Sequence, residues 1–404
     1  MSETIVIIGA GASGMLAALT AKEEADRRVI LLERQQRIGR KLLSTGNGRC
    51  NLTNTGAALS NYHGEQPEFA KYALERFSPQ DTLDYFAALG LMTVEEYGGR
   101  VYPLSNSANS VLDVLRFAIE RAGIELHCAC PVKTVRRQGN RFAVVTEEES
   151  FAADKLIVAC GGAAGAKLGG VSDGYALLGS LGHKRTSIYP ALVQLTTEPD
   201  YPRALKGVRA DAALTLLSGE RVLARSAGEL QFTEKGVSGP AVFDISRAAA
   251  KGGEGLKLSI DFFRTMDDNV LIGWLLRRRA SLPDQLCAEL FTGMLHNRLG
   301  RMLVKYCGFN PNAPLSSLCD SDLRHAAKGG KDFVLPVRGT EGFDSAQVTA
   351  GGMKTAQFDP KTLESRLVPG LYACGEVLDI DGDCGGYNLQ WAWASGRLAG
   401  RFGK

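Results

Sequence analysis

With 404 residues, of which 45% are hydrophobic and 23% charged, the chain is too long for one ordinary core and suits two or three globular domains. A formal net charge of +3 does not mark a nucleic-acid binder, and no apolar run approaches the roughly 18 residues that span a bilayer. The 47 glycines fall in motifs rather than in low-complexity tracts, which excludes a disordered composition.

The first apolar stretch, Ile5–Gly9, is short and lacks a basic flank, so it does not read as a signal peptide, and a cytoplasmic protein is expected. Thr4–Ile8 reads as a buried parallel strand that runs straight into Gly9-Ala-Gly-Ala-Ser-Gly14. A helical pattern carrying Met15, Leu16, Ala18 and Leu19 follows, then a strand over Val29–Leu32 that ends in Glu33. Gly9 permits the tight turn into the helix. Gly11 lets the backbone approach a pyrophosphate, and Gly14 lets the helix lie against the strand. The helix N-terminus offers free N–H groups and positive dipole to the phosphates. Glu33 stands where an acid hydrogen-bonds a ribose, roughly 20 residues beyond the last glycine.

Three further segments favour FAD over NAD. Gly39–Asn51 is dense in donors and glycines and can run along an extended ligand, supplying backbone N–H groups, with Arg40 and Thr45 as candidate contacts. Val132–Val135, Arg141–Val145 and Phe151 read as a three-stranded meander turned at Gly139-Asn140, with Leu156–Gly162 returning to the sheet and ending at Gly161. Gly370–Glu376 reads as a short strand ending in Gly375-Glu376, which sets an acid beside the ribityl and pyrophosphate end. After it, Gly385-Gly386 feeds a closing helix that the pattern starts at Trp391, so that backbone N–H groups stand by the flavin pyrimidine ring. From about Ala191 to about Gly342 these signals stop. Leu192–Thr196, Ala212–Leu217, Glu229–Phe232 and Leu256–Ile260 alternate as strands, whereas Asp267–Arg279, Gln285–Leu299 and Leu315–Ala327 read as helices. Val348–Gly352 brings the chain back.

The nine cysteines form no CxxC pair and the five histidines show no ligand spacing, so reduced thiols and no metal site are expected. The basic clusters Arg37, Arg40 and Lys41; His183, Lys184 and Arg185; and Arg277–Arg279 read most simply as solvated faces.

Taken together, GAGASG at 9–14, GRKLLSTGNGRCNLTN at 39–54, GELQFTEKGVSGPA at 228–241, VTAGGM at 348–353 and LYACGEVLDIDGDCGGYNLQWAWASG at 371–396 resemble the BaiN-like, aminoacetone-oxidase-like family of bacterial NAD(P)/FAD-dependent oxidoreductases. Met353 departs from the smaller apolar residue common there. The resemblance implies an α/β fold: a Rossmann-type, glutathione-reductase-like FAD domain, here 1–190 and 343–404, interrupted by an inserted β-barrel-like (191–262) and helical (263–342) substrate domain. It carries non-covalent FAD contacts to Ser13, Glu33, Arg34, Lys41, Asn47, Val132, Glu376, Asn388 and Leu389. NADH or NADPH is the implied transient electron donor, since no second GxGxxG is present.

The resemblance also implies reduction of a carbon–carbon double bond, and one implied substrate is a uridine of 23S ribosomal RNA, giving dihydrouridine. Arg277–Arg279, Arg298 and Arg301 would then meet phosphates. Cys50, Cys384 and Tyr387 are proton-donor candidates by residue type. Two other readings stay open: a small-molecule flavoenzyme (an amine or aminoketone oxidase, or a steroid-type enone reductase), and a binding module that FAD merely stabilises.

Overall fold

The computed structural model describes residues 2–403; Met1 and Lys404, the outermost positions of the expected FAD domain, lie outside the described residues. The chain divides into two units, one built from Met1–Tyr189 and Phe343–Lys404, the other from Pro190–Gly342.

The first unit is organised by a five-stranded parallel sheet. Its strands are β1 (Thr4–Ile8), β2 (Arg28–Leu32), β5 (Glu125–His127), β6 (Lys155–Val158) and β7 (Leu371–Ala373), in spatial order β7-β6-β1-β2-β5. Every residue of β1 is buried, as the unbroken apolar run requires of a central parallel strand. Helix α1 (Ala12–Glu24) crosses from β1 to β2, and α2 (Arg40–Ser44) follows β2. The short strands β3 (Thr53–Asn54) and β4 (Arg100–Pro103) pair antiparallel. The meander forms as an antiparallel sheet of Thr134–Gln138, Arg141–Val145 and Ser150–Ala153. Helices α3 (Asp173–Ser180) and α4 (Tyr387–Arg401) complete the parts that matter for the site.

In α1 every residue from Ser13 to Ala21 is buried, so the helix is sealed on all sides. Against α4 it packs backbone to backbone. A Cβ on Gly396 would lie 2.3 Å from the Ser13 carbonyl oxygen, and one on Gly400 would lie 2.6 Å from that of Ala17. The closing helix therefore needs both glycines on the stripe that meets α1.

The second unit holds a closed six-stranded antiparallel barrel. Around it run Leu195–Thr197, Gly236–Ser238, Arg221–Phe232, Arg209–Ser218, Leu256–Asp261 and Phe333–Thr340. Leu214, Leu216, Leu230, Phe232, Leu258 and Ile260 point into its core, alternating with outward residues. Helices Pro240–Lys251, Asp268–Ser281, Asn297–Tyr306 and Asp320–Lys331 surround it.

Three helix boundaries differ from the sequence reading. The helix expected over Gln285–Leu299 is a 3-10 turn at Cys287–Glu289 and a separate helix that starts only at Asn297. Gly293 at φ +81° breaks the run, and the His296 side chain caps the new helix by accepting from Arg298 N–H. The one expected over Leu315–Ala327 likewise divides into a turn at Leu315–Ser317 and a helix from Asp320 to Lys331. There the Asp322 carboxylate accepts from the Cys319 backbone N–H and marks the start. The closing helix begins at Tyr387, four residues before Trp391, behind a left-handed Gly386 that supplies no side-chain cap.

Candidate functional site

Strands β1 and β6 lie side by side, and the connections leave them in opposite directions: β1 leads to β2 on one flank, β6 has β7 on the other. Open α/β sheets bind ligands at such a switch point, beyond the carboxyl ends of the strands. A cleft opens there, lined by Ile8–Ser13 after β1, Leu32–Gln35 after β2 and Ala159–Gly162 after β6. Its lining runs past the ends of three neighbouring strands, an extended shape that suits a dinucleotide.

The turn out of β1 is fixed by the Gly9 N–H, which donates to the Leu32 carbonyl at 2.7 Å. A Cβ on Gly14 would fall 1.8 Å from the Gly9 carbonyl oxygen, whereas one on Gly11 would meet no protein atom within 4 Å and would project into open space. The first turn of α1 carries no acidic residue and no side-chain cap, so its N–H groups and dipole face the cleft unopposed.

Glu33 is buried at the rim. Its two oxygens accept from the N–H groups of Ala10 (2.9 Å) and Gln35 (2.8 Å), which fixes the carboxylate and leaves lone pairs for hydroxyl donors. Arg34 pairs with Asp173 of α3 at 2.7 Å, and Arg40 donates to the Gln35 side chain (2.7 Å) and the Lys167 carbonyl (3.0 Å). Lys41 and Glu376 form an ion pair at 2.6 Å, and the other Glu376 oxygen accepts from Thr349 N–H at 2.8 Å. Thr45 closes α2 by donating to the Leu42 carbonyl.

At the far wall the Asn388 side chain is committed to the preceding loop. Its oxygen accepts from Gly382 N–H (2.8 Å) and its amide donates to the Gly382 and Asp383 carbonyls. What remains for a ligand is the backbone at the start of α4. Ser395 accepts from Gly375 N–H and Trp391 donates to the Gly375 carbonyl, so β7 and α4 are locked together behind the cleft.

Of the expected cofactor residues, Gly9, Gly11, Ser13, Glu33, Arg34, Arg40, Lys41, Thr45, Val132, Gly161, Glu376, Asn388 and Leu389 line the cleft. Gly14, Asn47, Gly375 and Gly386 do not line it; they shape its turns, with Asn47, Gly375 and Gly386 all at positive φ. Asn47 follows Gly46 in consecutive left-handed conformations. Sequence reasoning missed Cys130, Asp173, Gln347 and the Leu168–Val171 loop, which also line it. The Gly169-Gly170 pair and the acid opening α3 were visible signals; Cys130 carries none.

The three proton-donor candidates lie outside the cleft lining. Cys50 is fully buried, and burial pushes its thiol up to about 12. Cys384 and Tyr387 flank the Gly385–Gly386 turn; the Tyr387 ring meets Tyr62 edge-on at 6.4 Å. Among the described residues no group of three or more His, Cys, Asp or Glu could hold a metal, and no helix is long and apolar enough to cross a membrane.

The residues present fit FAD. A fixed acid stands at the end of β2 for the ribose, an open glycine and unopposed helix terminus for the pyrophosphate, and a second helix start in the same wall. Fold and cleft together define a flavin-dependent oxidoreductase of the Rossmann type. Residues 3–402 match the HI0933-like protein Rossmann domain, and the chain belongs to that family.

Among curated relatives, 3-dehydro-bile acid delta(4,6)-reductase of Clostridium scindens is 42% identical over 401 residues, 98% of each chain. The ribosomal RNA dihydrouridine synthase of Escherichia coli is 32% identical over 393 residues, 96% of this chain and 95% of its own. Among solved structures, 3-ketosteroid delta1-dehydrogenase from Sterolibacterium denitrificans shares the fold at 13% identity and a TM-score of 0.53, covering 99% of each chain.

Proposed function

We propose that this chain uses FAD held in the cleft to reduce a carbon–carbon double bond conjugated to a carbonyl in a small, steroid-like molecule, with NADH or NADPH as electron donor. The observation that carries this reading is the 42% identity, over nearly the whole chain, with a relative named as a delta(4,6)-reductase of a 3-dehydro-bile acid. When bound, FAD supplies hydride exchange between the nicotinamide and the double bond. The chain's part is to grip and to polarise. The start of α1 and Glu33 hold the adenosine diphosphate half, Lys41 and Glu376 fix the middle, and the start of α4 lends positive dipole to the ring end. The proton that completes the reduction is assigned to Cys384 or Tyr387, which flank the Gly385–Gly386 turn, rather than to the sealed Cys50.

A second reading, reduction of a ribosomal uridine, is favoured by the relative from Escherichia coli. The arginines expected to meet phosphates give it little support. Arg278 donates to the Thr292 carbonyl, Arg279 pairs with Asp320, Arg298 donates to the Ala204 and Lys206 carbonyls, and Arg301 pairs with Glu289. Arg277 lies over the exposed Trp274 ring at 5.1 Å.

The test is anaerobic. The bound flavin is reduced with NADH or NADPH, then offered a 3-oxo-4,6-diene steroid or ribosomal RNA lacking dihydrouridine. Reoxidation by the steroid with loss of its conjugated absorbance is expected. Reoxidation by RNA alone would overturn the first reading in favour of the second. Cys384→Ser and Tyr387→Phe, assayed singly, separate the proton donors: the true one slows steroid reduction by roughly 10²-fold or more and leaves reduction by nicotinamide intact.

A further inference from the structure

Where the Gly385–Gly386 turn runs into α4, two polar side chains stand without partners. Asn51 is 8% exposed, and its Oδ1 is buried with no hydrogen bond among the described residues. That oxygen lies 2.9 Å from the point a Cβ on Gly386 would occupy. Arg100, on β4, is half-buried, and its guanidinium makes no hydrogen bond or ion pair among the described residues. Its Nε lies 3.5 Å from the corresponding point on Gly385. The neighbours are committed: Asn54 donates to the Gly98 and Gly385 carbonyls, and Arg49 lies over the Tyr102 ring and pairs with Glu96.

A buried acceptor without a donor is rare in a folded protein, and the half-buried Arg100 beside it is a cation with donors to spare. Their requirements are complementary. The acceptor asks for an N–H or O–H, and the cation asks for an oxygen. A phosphate or carboxylate answers only the second. A cyclic imide answers both, because its N–H is flanked by two carbonyl oxygens. We infer that Asn51 and Arg100 form an imide-recognition point at the start of α4. Asn51 accepts the ring N–H, and Arg100 donates to a flanking oxygen.

Two molecules share this edge: the pyrimidine ring of FAD itself and a uracil-type substrate. The inference rests on FAD binding in the cleft and not on the identity of the substrate. Two arms separate the sources. In the first, apo-protein is titrated with FAD and with N3-methyl-FAD, followed by flavin fluorescence. If the cofactor is the occupant, the wild type prefers FAD on the order of tenfold. Asn51→Leu abolishes the preference, Asn51→Asp, which keeps the acceptor, retains it, and Arg100→Met weakens FAD and lowers its midpoint potential. In the second arm, the holoprotein is titrated with uridine and N3-methyluridine, followed by the flavin absorption spectrum. A preference for uridine that Asn51→Leu removes assigns the point to substrate. Circular dichroism and melting check that each variant is folded. A protein that binds both flavins equally and both uridines equally overturns the inference alone. One that takes up neither flavin overturns the cofactor reading and this inference with it.

Discussion

His183 lies 5% exposed, its ring stacked on Phe358 with centroids 4.9 Å apart and its Nε2 2.8 Å from the Ser365 hydroxyl. Burial lowers its pKa from the ordinary 6.5, against a smaller opposing contribution from the Leu178 carbonyl. The native ring therefore stays neutral where the unfolded chain takes up a proton. The stability it contributes is present above pH 6.5 and lost as pH falls from there through the folded value. Melting temperatures between pH 8 and 5 should fall less in His183→Gln than in wild type; equal acid slopes would contradict this. Gly11 makes a sharper case. A Cβ there meets no protein atom within 4 Å, and its φ of −80° suits any residue. Gly11→Ala should leave stability within about 0.5 kcal/mol yet weaken FAD binding by an order of magnitude or more, because the methyl enters the space meant for phosphate. Chemical denaturation of the apo-protein and a flavin titration read the two effects separately. Such a residue was legible in the fingerprint. Asn51 and Arg100 were not, since lacking a partner is a property of the folded surroundings and leaves no trace in spacing.

At the level of elements, α1 and α4 are held by small residues rather than by interlocking side chains. Gly396→Ala places a methyl 2.3 Å from the Ser13 carbonyl oxygen, on rigid backbone, so one helix must move. Overpacking of this kind costs about 1–3 kcal/mol. A loss in that range by urea denaturation, together with weaker flavin retention, is expected; unchanged values of both would show that the helices slide freely. Periodicity located β1, α1 and β2 because a buried strand and a sealed helix write their burial into every position. It misplaced the start of α4 because Gly386 in a left-handed turn caps without a side chain, and the capping residues that announce a helix are absent. It fused Cys287–Glu289 with the helix from Asn297 because both segments turn apolar residues inward, and only the backbone at Gly293 parts them.

For the molecule as a whole, FAD that binds only the native state should raise stability by mass action. At one thousand times its dissociation constant the gain approaches about 4 kcal/mol. Differential scanning calorimetry of the protein, with and without FAD, measures it. A transition that does not move with flavin concentration would show that the cleft does not grip the cofactor. The α/β class and the flavin reading were legible because the motifs recur in chain order. The destination of the arginines was not, since a basic run reads identically whether its charges face solvent or cap carbonyls at home.

The order in which the parts emerge during synthesis follows from this layout. Strands 195–340 close their barrel from one continuous stretch, whereas β7 and α4 are translated after it and must travel back to β6 and α1. Until that late tail docks, Glu33 and Gly11 face a half-built groove. Nascent chains stalled on the ribosome before residue 371 should therefore emerge colourless however much flavin is supplied. A yellow species is expected only once α4 is free to settle against α1, so flavin uptake should follow the docking of this helix rather than precede it.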